Sequence, residues 1–166
     1  LGLTPSEPAP EHAYLRRASI DIIGRVPTVA ETREFLADTS PDKRQKLVDR
    51  LLNSPEYADH WANKWADLLR PNPYRVGIKT TLNYDAWIRD SFRKNKPYDQ
   101  FVREQLAGDA LGAPAATGFL VAGPYDIVKS RDVALQLMQR QDELADMVST
   151  TATAFLGLTM GCARCH

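Results

Sequence analysis

The two cysteines of this chain, Cys162 and Cys165, lie two residues apart, and His166 follows the second directly. This is the C-x-x-C-H spacing of covalent haem attachment. Each thiol can add to one vinyl group of a porphyrin to form a thioether. The two-residue gap matches the separation of two vinyls along one porphyrin edge. The histidine after the second anchor is then delivered to the iron as proximal ligand. Two other readings use the same residues. A C-x-x-C pair acts as a redox dithiol where it opens a helix in a βαβ setting, and no such setting is visible in this sequence. The cluster could also bind zinc, but a closed site needs a fourth ligand, and His12 and His60 are isolated.

The segments leading to this motif read as helices. Pro5, Pro8 and Pro10 make residues 1–11 an irregular arm. From His12, the residues Tyr14, Leu15, Ala18, Ile22 and Ile23 share one helical face, and Gly24 is a stop signal. Thr28-Val29-Ala30-Glu31 has the form of a capping box and predicts a short helix through Leu36. Ser40-Pro41-Asp42 and Ser54-Pro55-Glu56 are two further start signals. The first predicts a helix with Leu47, Val48, Leu51 and Leu52 inward. The second predicts one with Tyr57, Trp61, Trp65 and Leu68/Leu69 on a single stripe, ending before Pro71. The two tryptophans read as core anchors, or as pocket walls beside a haem.

Pro71 to Gly77 reads as a loop, and Asn83 as the cap of a helix with Tyr84, Trp87, Ile88 and Phe92 inward. Beyond Lys96-Pro97, Tyr98, Phe101, Val102 and Leu106 mark another inward face. Gly108 to Gly118 reads as a loop, and Gly118 to Gly123 as the nearest approach to a strand. A single short strand would have no partner, so that stretch is expected to be a buried connection. The longest element runs from about Arg131 to Leu156 with Leu137, Leu144, Val148, Thr151 and Phe155 as its stripe. It ends at Gly157 and leads into the cysteines. The expected fold is all-α: an irregular multi-helix bundle, one domain over residues 12–166.

Composition narrows the function classes. Lysine plus arginine (21) equals aspartate plus glutamate (21), so no overall charge draws the chain to nucleic acid or an acidic membrane. No apolar run approaches the ~20 residues of a membrane span. The opening at Leu1 reads as an interior or processed segment rather than a signal peptide.

Several stretches together resemble a known family. They are Tyr14 to Thr28, Lys46 to Leu52, Trp61 to Asp67, Pro97 to Asp109, Ala116 to Leu120, and Phe155 to Thr159 running into the motif. The chain is similar, from about residue 12 to 166, to the DUF1549 domain, also called the planctomycete cytochrome C domain PSCyt2. The resemblance implies a large exported protein, often with a preceding small cytochrome domain and a following partner domain of unknown function, and one covalent haem c on Cys162, Cys165 and His166; the expected partner is a redox protein or a neighbouring cytochrome domain of the same polypeptide. It implies no particular reaction. Two features depart from the family pattern. Members usually continue after the histidine with Asp-His-Lys, whereas this sequence stops at His166, as a fragment would. Members also often carry a histidine where Lys64 stands, with His60 one turn earlier here.

The leading expectation is a haem-c domain for electron transfer or redox sensing, in the periplasm or otherwise outside the cytoplasm, where covalent attachment is carried out. His60 as distal ligand would give a bis-histidine, low-potential iron, whereas a methionine such as Met138 or Met147 would raise the potential. Met160, two residues before Cys162, is poorly placed for the far face. A peroxidase-like enzyme is the alternative, with Asp67, Asp146 or Arg131 as distal acid–base candidates. A haem-free zinc or structural module is the third.

Overall fold

The structure, a computed structural model, describes residues 7–125 and 127–165. These residues form nine α-helices and no strand, so the fold is all-α. The chain divides into two compact units, Leu1–Trp61 and Ala62–His166.

The first unit contains α1 (Glu11–Ile23), α2 (Val29–Ala37), α3 (Lys43–Leu52) and the opening turns of α4 (Pro55–Leu69). Leu15, Ile23, Phe35, Leu47 and Leu51 form its core, with Tyr14, Ala18, Ile22 and Tyr57 packed around them. Helix α1 stops where glycine permits it: Gly24 sits at φ 72° and donates its N–H to the Ile20 carbonyl. A β-carbon on Gly24 would also overlap the His60 imidazole, which lies against it. Thr28 and Glu31 close the expected capping box, each side chain accepting from the other's backbone N–H. Arg25 grips Glu31 with two guanidinium nitrogens, each at 2.9 Å. Those bonds hold the Glu31 carboxyl well below its usual range, at about 2.

The second unit takes the rest of α4, then α5 (Pro73–Val76), α6 (Ile78–Arg93), α7 (Tyr98–Ala107), α8 (Gly118–Ala122) and α9 (Val133–Thr151). Ala62, Leu69, Tyr84, Ile88, Phe119 and Phe155 form its core. Trp65 stacks on Phe155 at 5.6 Å and meets Phe101 edge-on at 5.0 Å, so this tryptophan is a core anchor.

Four elements differ from the sequence reading. Within the expected loop at 71–77, Pro73–Val76 form the short helix α5, because the Asn72 side chain caps it by accepting the Tyr74 N–H and Pro73 suits its first position. Helix α6 begins at Ile78 rather than near Asn83, because Gly77 (φ 82°) turns the chain early and leaves Asn83 inside the helix. Residues Gly118–Ala122 are a helical turn, not a strand or plain connection. Gly118 packs so closely under Tyr84 that a β-carbon there would overlap the ring. On α7 the buried face is turned from Leu106, which is 42% exposed, to Glu104 and Gln105. Gln105 accepts the Tyr84 hydroxyl at 2.6 Å, and Glu104 accepts from Trp87 Nε1, Gln100 Nε2 and Lys96 Nζ. Hydrogen bonding therefore overrides apolar periodicity, since a buried polar group is tolerated once its partners are in place.

Candidate functional site

Helix α9 builds the site and the chain beyond it completes it. Asp132 caps the helix, accepting from the N–H groups of Ala134 and Leu135. After Thr151 the spiral widens into a π-helical turn, Ala152–Leu156. Phe155 anchors that turn in the aromatic core, and its carbonyl accepts the Tyr98 hydroxyl at 3.1 Å. Gly157, at φ 65°, then reverses the chain. The following segment returns antiparallel to α9. Gly161 packs close to the Ser149 hydroxyl, and Arg164 reaches Asp142, two turns further back, with an ion pair of 2.5 Å.

On that return path Gly161–Arg164 form a 3₁₀ turn. The Cys165 N–H donates to the Cys162 carbonyl at 3.1 Å, and the Ala163 N–H to the Met160 carbonyl at 3.0 Å. Cys162 lies within this turn and Cys165 closes it as the C-cap. Both cysteines are exposed and free, with no disulfide between them. His166, the expected proximal ligand, lies outside the described residues.

An apolar cleft of about 500 Å³ lies against the returning segment. Helix α9 contributes Leu144, Met147, Val148 and Thr151, and the π turn contributes Ala152 and Leu156. Leu120 of α8 and Met160, two residues before Cys162, complete the walls. The helical positions 144, 147, 148 and 151 follow the three–four spacing of one face. That face is not covered by protein: Val148 is 56% and Leu156 65% exposed. Of the members of the sequence stripe only Phe155 is buried. Leu137, 64% exposed, is likewise on the surface. The reason is that the elements packed along α9 are mainly the π turn and the 3₁₀ turn that follow it.

The other candidates are placed elsewhere. His60 sits in the first unit, against Gly24 and edge-on to Trp61 at 5.7 Å. Met138 is 52% exposed and does not line the cleft. Asp146 pairs with Arg70 at 2.8 Å on the surface, and Asp67 lines a polar hollow with both. Arg131 is exposed. None of these three acid–base candidates lines the apolar cleft. Among the described residues no group of three or more His, Cys, Asp or Glu side chains converges as a metal site.

Two features were not drawn from the sequence. Arg164 lies between the cysteines, and its partner Asp142 precedes it by 22 residues, beyond the reach of any local spacing rule. Leu120 of α8 and Leu156 of the π turn join the cleft from outside the α9 stripe.

Two free, exposed thiols three residues apart, in the segment that follows the cleft residue Met160, are groups that could hold a covalently attached porphyrin. Among the described residues, no helix is long and apolar enough to cross a membrane. No curated protein and no solved structure matches the chain. Residues 1–166, the whole chain, match the family PSCyt2, described as "Protein of unknown function (DUF1549)", and the chain belongs to that family.

Proposed function

We propose that this chain is a c-type cytochrome domain that carries one covalent haem and serves electron transfer or redox sensing. The observation that carries the reading is two free, exposed thiols, one in a 3₁₀ turn and one capping it, directly after Met160, a wall residue of an apolar cleft of about 500 Å³. Cys162 and Cys165 are the thioether anchors. His166 is the proximal nitrogen ligand. Leu144, Val148, Leu156 and Leu120 supply the apolar wall that keeps water from the porphyrin face, and burial there favours the less charged ferrous state. The bound group would supply a one-electron couple. Asp142, paired with Arg164, holds the attachment turn against α9 so that both thiols are presented together.

The family's cytochrome name supports the same reading, as do the three motif residues in unbroken order. Location outside the cytoplasm follows from where thioether attachment is carried out. The partner on this reading is another redox protein or a neighbouring cytochrome domain of the same polypeptide.

The test is an intact mass paired with a pyridine haemochrome spectrum of protein produced in cells competent for haem attachment. One added haem mass with a c-type α-band is expected. Replacing both cysteines, Cys162→Ser with Cys165→Ser, is expected to remove the added mass completely. A colourless wild-type protein of unmodified mass overturns the proposal and redirects attention to zinc or dithiol chemistry.

A further inference from the structure

We infer that Tyr98 is a positioning residue for the segment that carries Cys162 and Cys165: its hydroxyl fixes the π turn from which that segment departs. What the segment is positioned for rests on the cytochrome reading above. A π turn holds one residue more than the α-helix it interrupts, so it persists where its surroundings favour it. Carbonyls at a helix end also lack the N–H groups that a further turn would supply. Two of those in the π turn are satisfied locally. The Gly157 N–H donates to the Thr153 carbonyl at 3.3 Å, and the Leu158 N–H to that of Ala152 at 3.2 Å.

The Phe155 carbonyl is different. Gly157 reverses the chain at φ 65°, so no following helical turn comes within reach of it. Phe155 is 8% exposed, and a backbone acceptor in such a setting needs a donor. The Tyr98 hydroxyl is that donor, at 3.1 Å and across 57 residues of sequence.

The donor comes from an element already seated in the core. Tyr98 opens α7 directly after Pro97, and Phe101, three residues on, is 4% exposed. Phe101 meets Trp65, which in turn stacks on Phe155. Phe155 is thus held at both ends, its ring by Trp65 and its carbonyl by Tyr98. From Leu156 to Cys165 every residue is exposed. Phe155 is therefore the last point at which core packing directs the chain before the cysteines. Tyr98 is itself 56% exposed, so removing its hydroxyl leaves the aromatic core in place.

The test compares wild type with Tyr98→Phe by hydrogen exchange on haem-free protein and by haem occupancy after production in attachment-competent cells. The N–H groups of Gly157, Leu158, Ala163 and Cys165 all donate within the turn or the segment after it, so they report its order. Tyr98→Phe is expected to speed their exchange about two- to tenfold, the range for one lost net hydrogen bond, while α6 keeps its wild-type rates. The fraction of chains with an added haem mass falls in parallel. Tyr98→4-aminophenylalanine, which restores a donor, brings both readouts back toward wild type. Tyr84→Phe is the control: it loses a hydroxyl bond to Gln105 in the same unit and lowers the urea midpoint without singling out those four groups. Unchanged exchange at the four groups, or an equal rise throughout the second unit, overturns the inference. Faster exchange with wild-type haem occupancy overturns the positioning role. Absence of the haem mass from wild type overturns the cytochrome reading, whereas the exchange comparison still decides whether Tyr98 holds the turn.

Discussion

Helices α1 and α9 both carry an apolar stripe at helical spacing, yet they use it in opposite ways. On α1, Leu15 is 1% and Ile23 5% exposed, sealed by α2 and α3. On α9, Val148 is 56% exposed and Leu144 faces an open cleft. Identical periodicity therefore says that a helix has an apolar face, and leaves unsaid what covers it. In the first unit the cover is more protein. At α9 the reading proposed above makes the cover a haem.

The sharpest way to break this contrast is to truncate one residue from each face and measure urea unfolding. Leu15→Ala is expected to cost about 2–5 kcal/mol, the range for deleting buried methyl groups from a packed core. Next in size is acid sensitivity. Glu31 titrates at about 2, below its usual 4.5, because it accepts two hydrogen bonds from Arg25. Its folded form favours the carboxylate, so its stabilisation is complete above about pH 4.5 and is lost as pH falls toward 2. Allowing for screening of a partly exposed pair, Glu31→Gln is expected to remove on the order of 1–2 kcal/mol at neutral pH and little near pH 2. An equal effect at both pH values would show that the Arg25 pair does not set the shift.

The smallest effect is expected on α9. Val148→Thr should change the stability of haem-free protein by no more than about 0.5 kcal/mol, as for other surface positions. A loss matching Leu15→Ala would mean that this face is already covered and would remove the contrast. The Arg164–Asp142 ion pair sharpens it differently. At exposures of 47% and 52% it is worth about 0–1 kcal/mol to folding. Asp142→Asn is nonetheless expected to lower the fraction of chains that acquire haem, read by intact mass, because it releases the turn that presents the thiols. Unchanged haem occupancy would reduce the pair to surface decoration.

How much of this was legible in the sequence depends on the range of the interaction. Thr28 with Glu31, Gly24 and Pro55 announced their helix ends correctly, because caps and stops are settled within a few residues. Asn83 misled, since the true start was fixed by the left-handed Gly77. The α7 face misled because Glu104 and Gln105 are buried by partners on α6 and at Lys96, which local periodicity does not register. The cleft was invisible as such: its walls come from α8, α9, the π turn and the returning segment.

The π turn at Ala152–Leu156 amounts to one surplus residue in the spiral. In an ordinary helix each residue advances the azimuth by about 100°. The single extra position thus acts as a phase shifter between the cleft wall upstream and everything downstream. Deleting one residue there would leave composition, charge and all three motif residues intact. It would nevertheless rotate Gly157, and the whole returning segment, about the axis of α9. The thiols would then be presented to a different meridian of the helix, away from Leu144 and Val148.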